Sequence, residues 1–149
     1  LVAYRTVMVG TDGSESSYAA VEGAARIAAA CGAELVIACA YMPMRGPELA
    51  QARDQLGDEA YQVVGSAPAE ATLRTARDRA RAQGAESTRT VAVEGEPVAA
   101  LVRTARKCSA DLLVVGNRGL RSLAGRILGS VPADIARKAD LDVLIVHTT

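Results

Sequence analysis

The sequence predicts an α/β fold: a single doubly wound domain over residues 1–149, with a five-stranded parallel sheet (order 3-2-1-4-5) and helices on both faces. Short apolar, β-branched runs alternate with stretches of helical spacing along the whole chain. Most of those runs are apolar throughout rather than alternating, the signature of strands covered on both faces. Right-handed crossovers then wind the sheet in two directions from its middle and bring strands 1 and 4 side by side.

Each element has a local reason. Thr6–Val9 is a short β-branched run that ends at Gly10-Thr11-Asp12-Gly13, and Ser14 stands where a helix N-cap belongs. Val21, Ala24, Ala25 and Ala28 then recur at helical spacing up to Cys31-Gly32. Glu34–Tyr41 (ELVIACAY) is the second strand. Met42–Ser66 carries Pro43, Gly46, Pro47, Asp58-Glu59 and Gly65; a short helix is expected around Leu49–Tyr61, in an insertion that serves as a lid or partner surface, or simply as a covering helix. Ala69, Leu73, Ala76 and Ala80 mark a helix closing near Gly84. Thr88–Val93 is more alternating than its fellows, which places it nearer an edge. Pro97 opens a helix with Val98, Leu101, Val102, Ala105 and Cys108 on one face. Asp111–Val115 is the fourth strand, Val131–Ala139 the last helix and Asp142–His147 the last strand, at the sheet edge.

Composition narrows the function. Seventeen basic residues balance seventeen acidic ones, which argues against a nucleic-acid partner, and the absence of Trp and Phe removes a base-stacking platform. Cys31, Cys39 and Cys108 form an odd set without a CxxC pair and are expected to be reduced thiols. His147 is the single histidine, too few for a zinc site, and is expected to be a strand-end residue. No apolar stretch approaches the roughly 20 residues of a membrane span. The opening LVAYRTVMVGTDGS lacks a signal peptide's apolar core, so the expected setting is cytoplasmic, with no membrane partner.

The chemistry concentrates between Val114 and Ala133, VVGNRGLRSLAGRILGSVPA. Gly116 and Gly119 are separated by two residues, and nine more lead to Gly129 and Ser130. Glycines at a strand exit and at a helix start let backbone approach a phosphate closely, and the amides of Gly129, Ser130 and Val131 can point at one anion. Gly129 as a plain turn and Ser130 as a plain cap is the bland alternative. Arg118 lies between the first two glycines and suits a phosphate; Arg121 fits a solvated loop charge better. Asp12, after the first strand, either closes an Asx turn or, with Ser14 as the cap, remains free for a ligand. The two turns converge at the switch point, where doubly wound sheets bind ligands.

The G-x2-G-x9-G-S spacing, VGTDGS after the first strand and the closing DVLIVH resemble the nucleotide-binding branch of the universal stress protein family, over the whole length of the chain. The turn at Ala40-Tyr41-Met42-Pro43, the GSVPA stretch and the DVLIVHTT end look like an actinobacterial subgroup that binds cyclic AMP. The resemblance implies ATP or another adenine nucleotide, with cyclic AMP as the alternative and Mg only beside a polyphosphate. It implies that Thr11, Asp12 and Gly13 meet the ribose or adenine side and that backbone near Ala40 and Tyr41 meets the adenine edge. Gly116, Arg118 and Gly119 line the ribose and first phosphates in that picture, and Gly129, Ser130 and Val131 hold the tail. Tyr41 either flanks the ring or finishes its strand. Pro132 stands where many nucleotide-binding members carry Ser or Thr, which removes one phosphate donor. The resemblance also implies a homodimer through the last strand, whose apolar edge needs cover.

Three functions fit these residues: a nucleotide-binding sensor or switch without dedicated catalysis, a slow ATP hydrolase, and a nucleotide-free dimeric scaffold. No GxxxxGK[ST] motif is present, and the turn after strand 1 lacks the glycines of a PP-loop. A valine at Gly116 or a glutamate at Ser130 is expected to abolish binding while sparing the fold.

Overall fold

The computed structural model describes residues 3–42, 66–118 and 130–148, with backbone alone at 130 and 131. The expected short helix at 49–61, the glycines at 119 and 129 and the arginines at 121 and 126 lie outside the described residues. The elements run β1 (Thr6–Gly10), α1 (Glu15–Cys31), β2 (Glu34–Tyr41), α2 (Ala67–Ala82), β3 (Thr88–Glu94), α3 (Pro97–Lys107), β4 (Leu112–Gly116), α4 (Ser130–Lys138) and β5 (Asp142–Val146). The strands form one sheet in the order β3-β2-β1-β4-β5, all pairs parallel. The expected fold class and strand order are therefore observed.

Alternation along the central strands sorts the core into two layers. Val7, Val9, Leu35, Ile37 and Val114 face α1 and α2, where Val21, Ala24, Ala28, Leu73 and Ala76 meet them. Met8, Val36, Ala38, Leu113 and Val115 face the other way, onto Leu101, Val102, Ala105 and Ile135 of α3 and α4. Alanines dominate the facing stripes of α1 and α2, so these helices can lie close to the sheet and to each other. Full burial of a single Leu such as Leu101 contributes about 1.5–3 kcal/mol.

Helix starts follow the sequence signals. Ser14 caps α1 by accepting the Ser17 N–H at 3.1 Å. Glu96 caps α3, its two carboxylate oxygens accepting from Val98 N–H at 3.1 Å and Ala99 N–H at 3.0 Å, with Pro97 at the first helical position. Arg79 of α2 forms a forked pair with Glu15 of α1, at 2.9 and 3.0 Å, and stacks over Tyr18.

Some boundaries move. β1 and β4 each run one residue further than expected, to Gly10 and Gly116, because pairing continues to Gly10↔Ala38 and Gly116↔Val146. Asp111 is not part of β4. Its carboxylate instead accepts the N–H groups of Arg5 and Thr6, at 2.9 Å for the shortest bond to each, and so closes the start of β1. β3 and β5 are the two edges, and on β5 Leu144 is 37% exposed. No helix among the described residues is long and apolar enough to cross a membrane.

Candidate functional site

A cleft of about 370 Å³ opens beyond the carboxyl ends of β1 and β2, lined by Thr11, Asp12, Cys39, Ala40, Tyr41 and residues at the starts of α2 and α3. Its floor follows from strand pairing. The last rung between β1 and β2 is the Thr11 N–H donating to Ala38 O at 2.9 Å. Successive residues of a strand bond to opposite neighbours, so the next residue of β2 turned toward β1 is Ala40, one rung past the end of β1. Its N–H and C=O thus face the cleft as a donor–acceptor pair; the carbonyl has only a weak contact from the Cys39 thiol, 3.9 Å away. Tyr41 points its backbone the other way: its carbonyl accepts from Gly95 N–H at 2.9 Å. Of the two residues expected to offer backbone to an adenine edge, Ala40 is placed to do so. Tyr41 is bound into β3 and contributes to the cleft wall.

The turn after β1 is rigid and built from hydroxyls. Thr11, 1% exposed, shares a 2.7 Å hydrogen bond with Ser17 Oγ and accepts the Gly13 N–H at 3.2 Å. Its hydroxyl is engaged inside the turn, while the residue still lines the cleft. Asp12 is exposed and closes the Asx turn that its sequence position suggested. Oδ1 accepts the Ser14 N–H at 2.9 Å in an Asx turn, while Ser14 Oγ supplies the helix cap. Oδ2 has no hydrogen-bond partner among the described residues. Gly13 takes φ +87°, and a Cβ there would lie 3.0 Å from Thr72 Oγ1 on the cleft wall.

Cys39 is 5% exposed, and burial, with help from Asp12 and Glu70, pushes its thiol up to about 11. It therefore stays a neutral thiol near pH 7. Sequence reasoning did not assign Cys39, Pro68, Ala69, Thr72 or Pro97 to the site, and all of them line the cleft. The proline signal at the start of α3 was legible, but its convergence with the start of α2 on one cavity is set by the crossovers.

At the other arm of the switch point, Gly116 pairs with Val146 and turns its Cα toward α1: a Cβ would meet Thr148 Cγ2 at 3.4 Å and Ala20 Cβ at 3.7 Å. These are ordinary van der Waals distances, so a methyl would fit there in contact with both neighbours. Arg118 follows in an exposed turn and does not line the cleft. Asn117, which the sequence did not flag, is 6% exposed and holds the segment after β5. Its Oδ1 accepts the Thr148 N–H at 2.9 Å and the Thr148 hydroxyl at 3.1 Å. Backbone helix begins at Ser130 and continues through Val131, and Pro132 is buried in its first turn. No group of three or more potential metal-ligating residues occurs among the described residues.

A sheet of this order, with its cleft beyond the strand ends, matches the Universal stress protein family model over residues 3–147. The chain belongs to the universal stress protein family. It is 54% identical over 147 residues to universal stress protein Rv1636 of Mycobacterium tuberculosis (strain H37Rv), with 99% of each chain covered. A crystal structure of a universal stress protein in complex with cAMP superposes with a TM-score of 0.76 at 50% identity, covering 99% of both chains. The universal stress protein UspA of Lactobacillus plantarum shares the fold, with a TM-score of 0.80 at 22% identity over 99% of this chain and 100% of its own.

Proposed function

We propose that this chain is an adenine-nucleotide-binding module that acts as a sensor or switch in the stress response, holding its ligand rather than turning it over. The observation that carries the reading is the backbone edge of Ala40 lining the same cleft as Asp12, whose Oδ2 has no hydrogen-bond partner among the described residues. A backbone donor and acceptor side by side match the edge of an adenine, and a carboxylate matches ribose hydroxyls. Gly13 keeps the turn tight enough for close approach. Gly116, Arg118 and Gly119 would follow the ribose toward the phosphate, and Gly129, Ser130 and Val131 would hold it at the start of α4.

Cyclic AMP is the ligand favoured by the relative that is 50% identical and was crystallised with it. ATP is the second reading, supported by the glycine spacing, and Mg²⁺ would enter only with its polyphosphate. Pro132 weighs toward the shorter phosphate. The protein would work in the cytoplasm as a homodimer paired through the β5 edge, where Leu144 is exposed.

Isothermal titration calorimetry with cAMP, AMP and ATP, followed by phosphate release, tests the reading. Binding without turnover is expected; turnover above about 1 per second would mark an enzyme instead. Asp12→Ala should weaken binding at least about tenfold, the cost of a lost charged hydrogen bond, while the Ser14 cap keeps α1 in place. If the wild-type protein binds none of the three nucleotides, the reading fails.

A further inference from the structure

The two arms of the switch point are tied together by one hydroxyl. Thr148 Oγ1 lies 3.1 Å from Asn117 Oδ1, to which it donates, and 2.5 Å from Ser16 Oγ. The amide oxygen can only accept, so the chain of donation runs from the Ser16 hydroxyl to Thr148 and on to Asn117. Ser16 is in the first turn of α1, four residues after Asp12; Asn117 directly follows β4 and precedes Arg118. The Thr148 N–H adds a second bond to the same Asn117 oxygen at 2.9 Å, and the Asn117 N–H donates to Val146 O at 2.8 Å. Thr148 lies against β4 beside Gly116, where a Cβ would come 3.4 Å from its Cγ2.

We infer that the Ser16–Thr148–Asn117 latch fixes the Asp12 turn relative to the end of β4, making Thr148 and Asn117 positioning residues for the nucleotide. The inference rests on the proposed adenine-nucleotide site. The latch touches no ligand group itself. It anchors the Asp12 turn through α1 on one side and the end of β4 at Asn117 on the other, so these two points are held at one spacing before a ligand arrives. Preorganisation of this kind acts on affinity, because an untethered loop must be ordered on binding.

The test measures cAMP and ATP affinity by calorimetry, at a temperature well below each variant's melting point, for wild type, Asn117→Ala, Thr148→Val and Thr148→Ser. Asn117→Ala removes both bonds from Thr148 and should raise Kd about tenfold. Thr148→Val removes only the hydroxyl bridge, is the mildest change to packing, and should raise Kd about threefold. Thr148→Ser keeps both donors and should restore affinity to within about twofold of wild type. A latch that only stabilised the fold would lower the melting temperature in the same order and leave Kd in the folded protein unchanged; that outcome overturns the inference and leaves the nucleotide reading intact. If the wild-type protein binds neither nucleotide, the reading and the inference both fall.

Discussion

Replacing Asp111 tests how the sheet is closed at the end opposite the cleft. Its carboxylate accepts Arg5 N–H at 2.9 Å on Oδ2 and Thr6 N–H at 2.9 Å on Oδ1, with a longer 3.2 Å contact from Arg5 to Oδ1. A hydrogen bond to a charged acceptor contributes about 1.5–3 kcal/mol when removal orphans its partner, and water can replace the bond at exposed Arg5. Asp111→Ala should therefore cost about 2 kcal/mol, most of it at half-buried Thr6, and lower Tm by about 5 °C. Asp111→Asn keeps one acceptor oxygen and should cost about half as much. Burial pushes the Asp111 carboxyl up, but the N–H groups of Arg5, Thr6 and Asp111 itself outweigh it and hold the group below its ordinary value of 3.8. A depressed native value means that its stabilisation is complete above the unfolded-state value and is lost as pH falls through the native one. Urea unfolding of wild type and Asp111→Asn, at pH 6 and then stepwise toward pH 3, should show the gap narrowing on acidification. A gap that stays constant over that range, or an Asp111→Ala cost below about 0.5 kcal/mol, would refute the reasoning.

Three further outcomes follow from single residues. Gly13→Ala should destabilise by about 1–2 kcal/mol in thermal melts, because φ +87° is strained for alanine and the new methyl lies 3.0 Å from Thr72 Oγ1. Cys39, buried and with its thiol raised to about 11, should be the slowest of the three cysteines to react with iodoacetamide at pH 7.5, read by peptide mass spectrometry. Leu144→Lys should shift a β5-paired dimer toward monomer in sedimentation velocity, with a change in monomer stability within about 0.5 kcal/mol.

The architecture was legible because it rests on local pattern. The apolar strand runs, the Ser14 cap, Pro97 and the alternating Thr88–Val93 run each pointed to the element or edge that is observed. The two turns at the candidate site were also legible, since Asp12-Gly13 and the glycine run stand out from any helix or strand pattern. What each atom does there was not. Thr11 looked like a ligand group, and its hydroxyl is spent on Ser17. Ala40 and Tyr41 looked equivalent, and only the sheet register decides that Ala40 faces past the end of β1 while Tyr41 bonds to Gly95. Asp111 counted as strand, yet its carboxylate serves a strand 105 residues away in the chain.

Sequence by itself therefore determined the element order, the sheet topology and the family, because periodicity, caps and glycine spacing act over a few residues. The tertiary structure decided which way the backbone groups at the end of β2 face, what Gly116 lies against, and that Thr148 joins Ser16 to Asn117. Those outcomes depend on where distant strands stop relative to one another, and no local pattern encodes that distance.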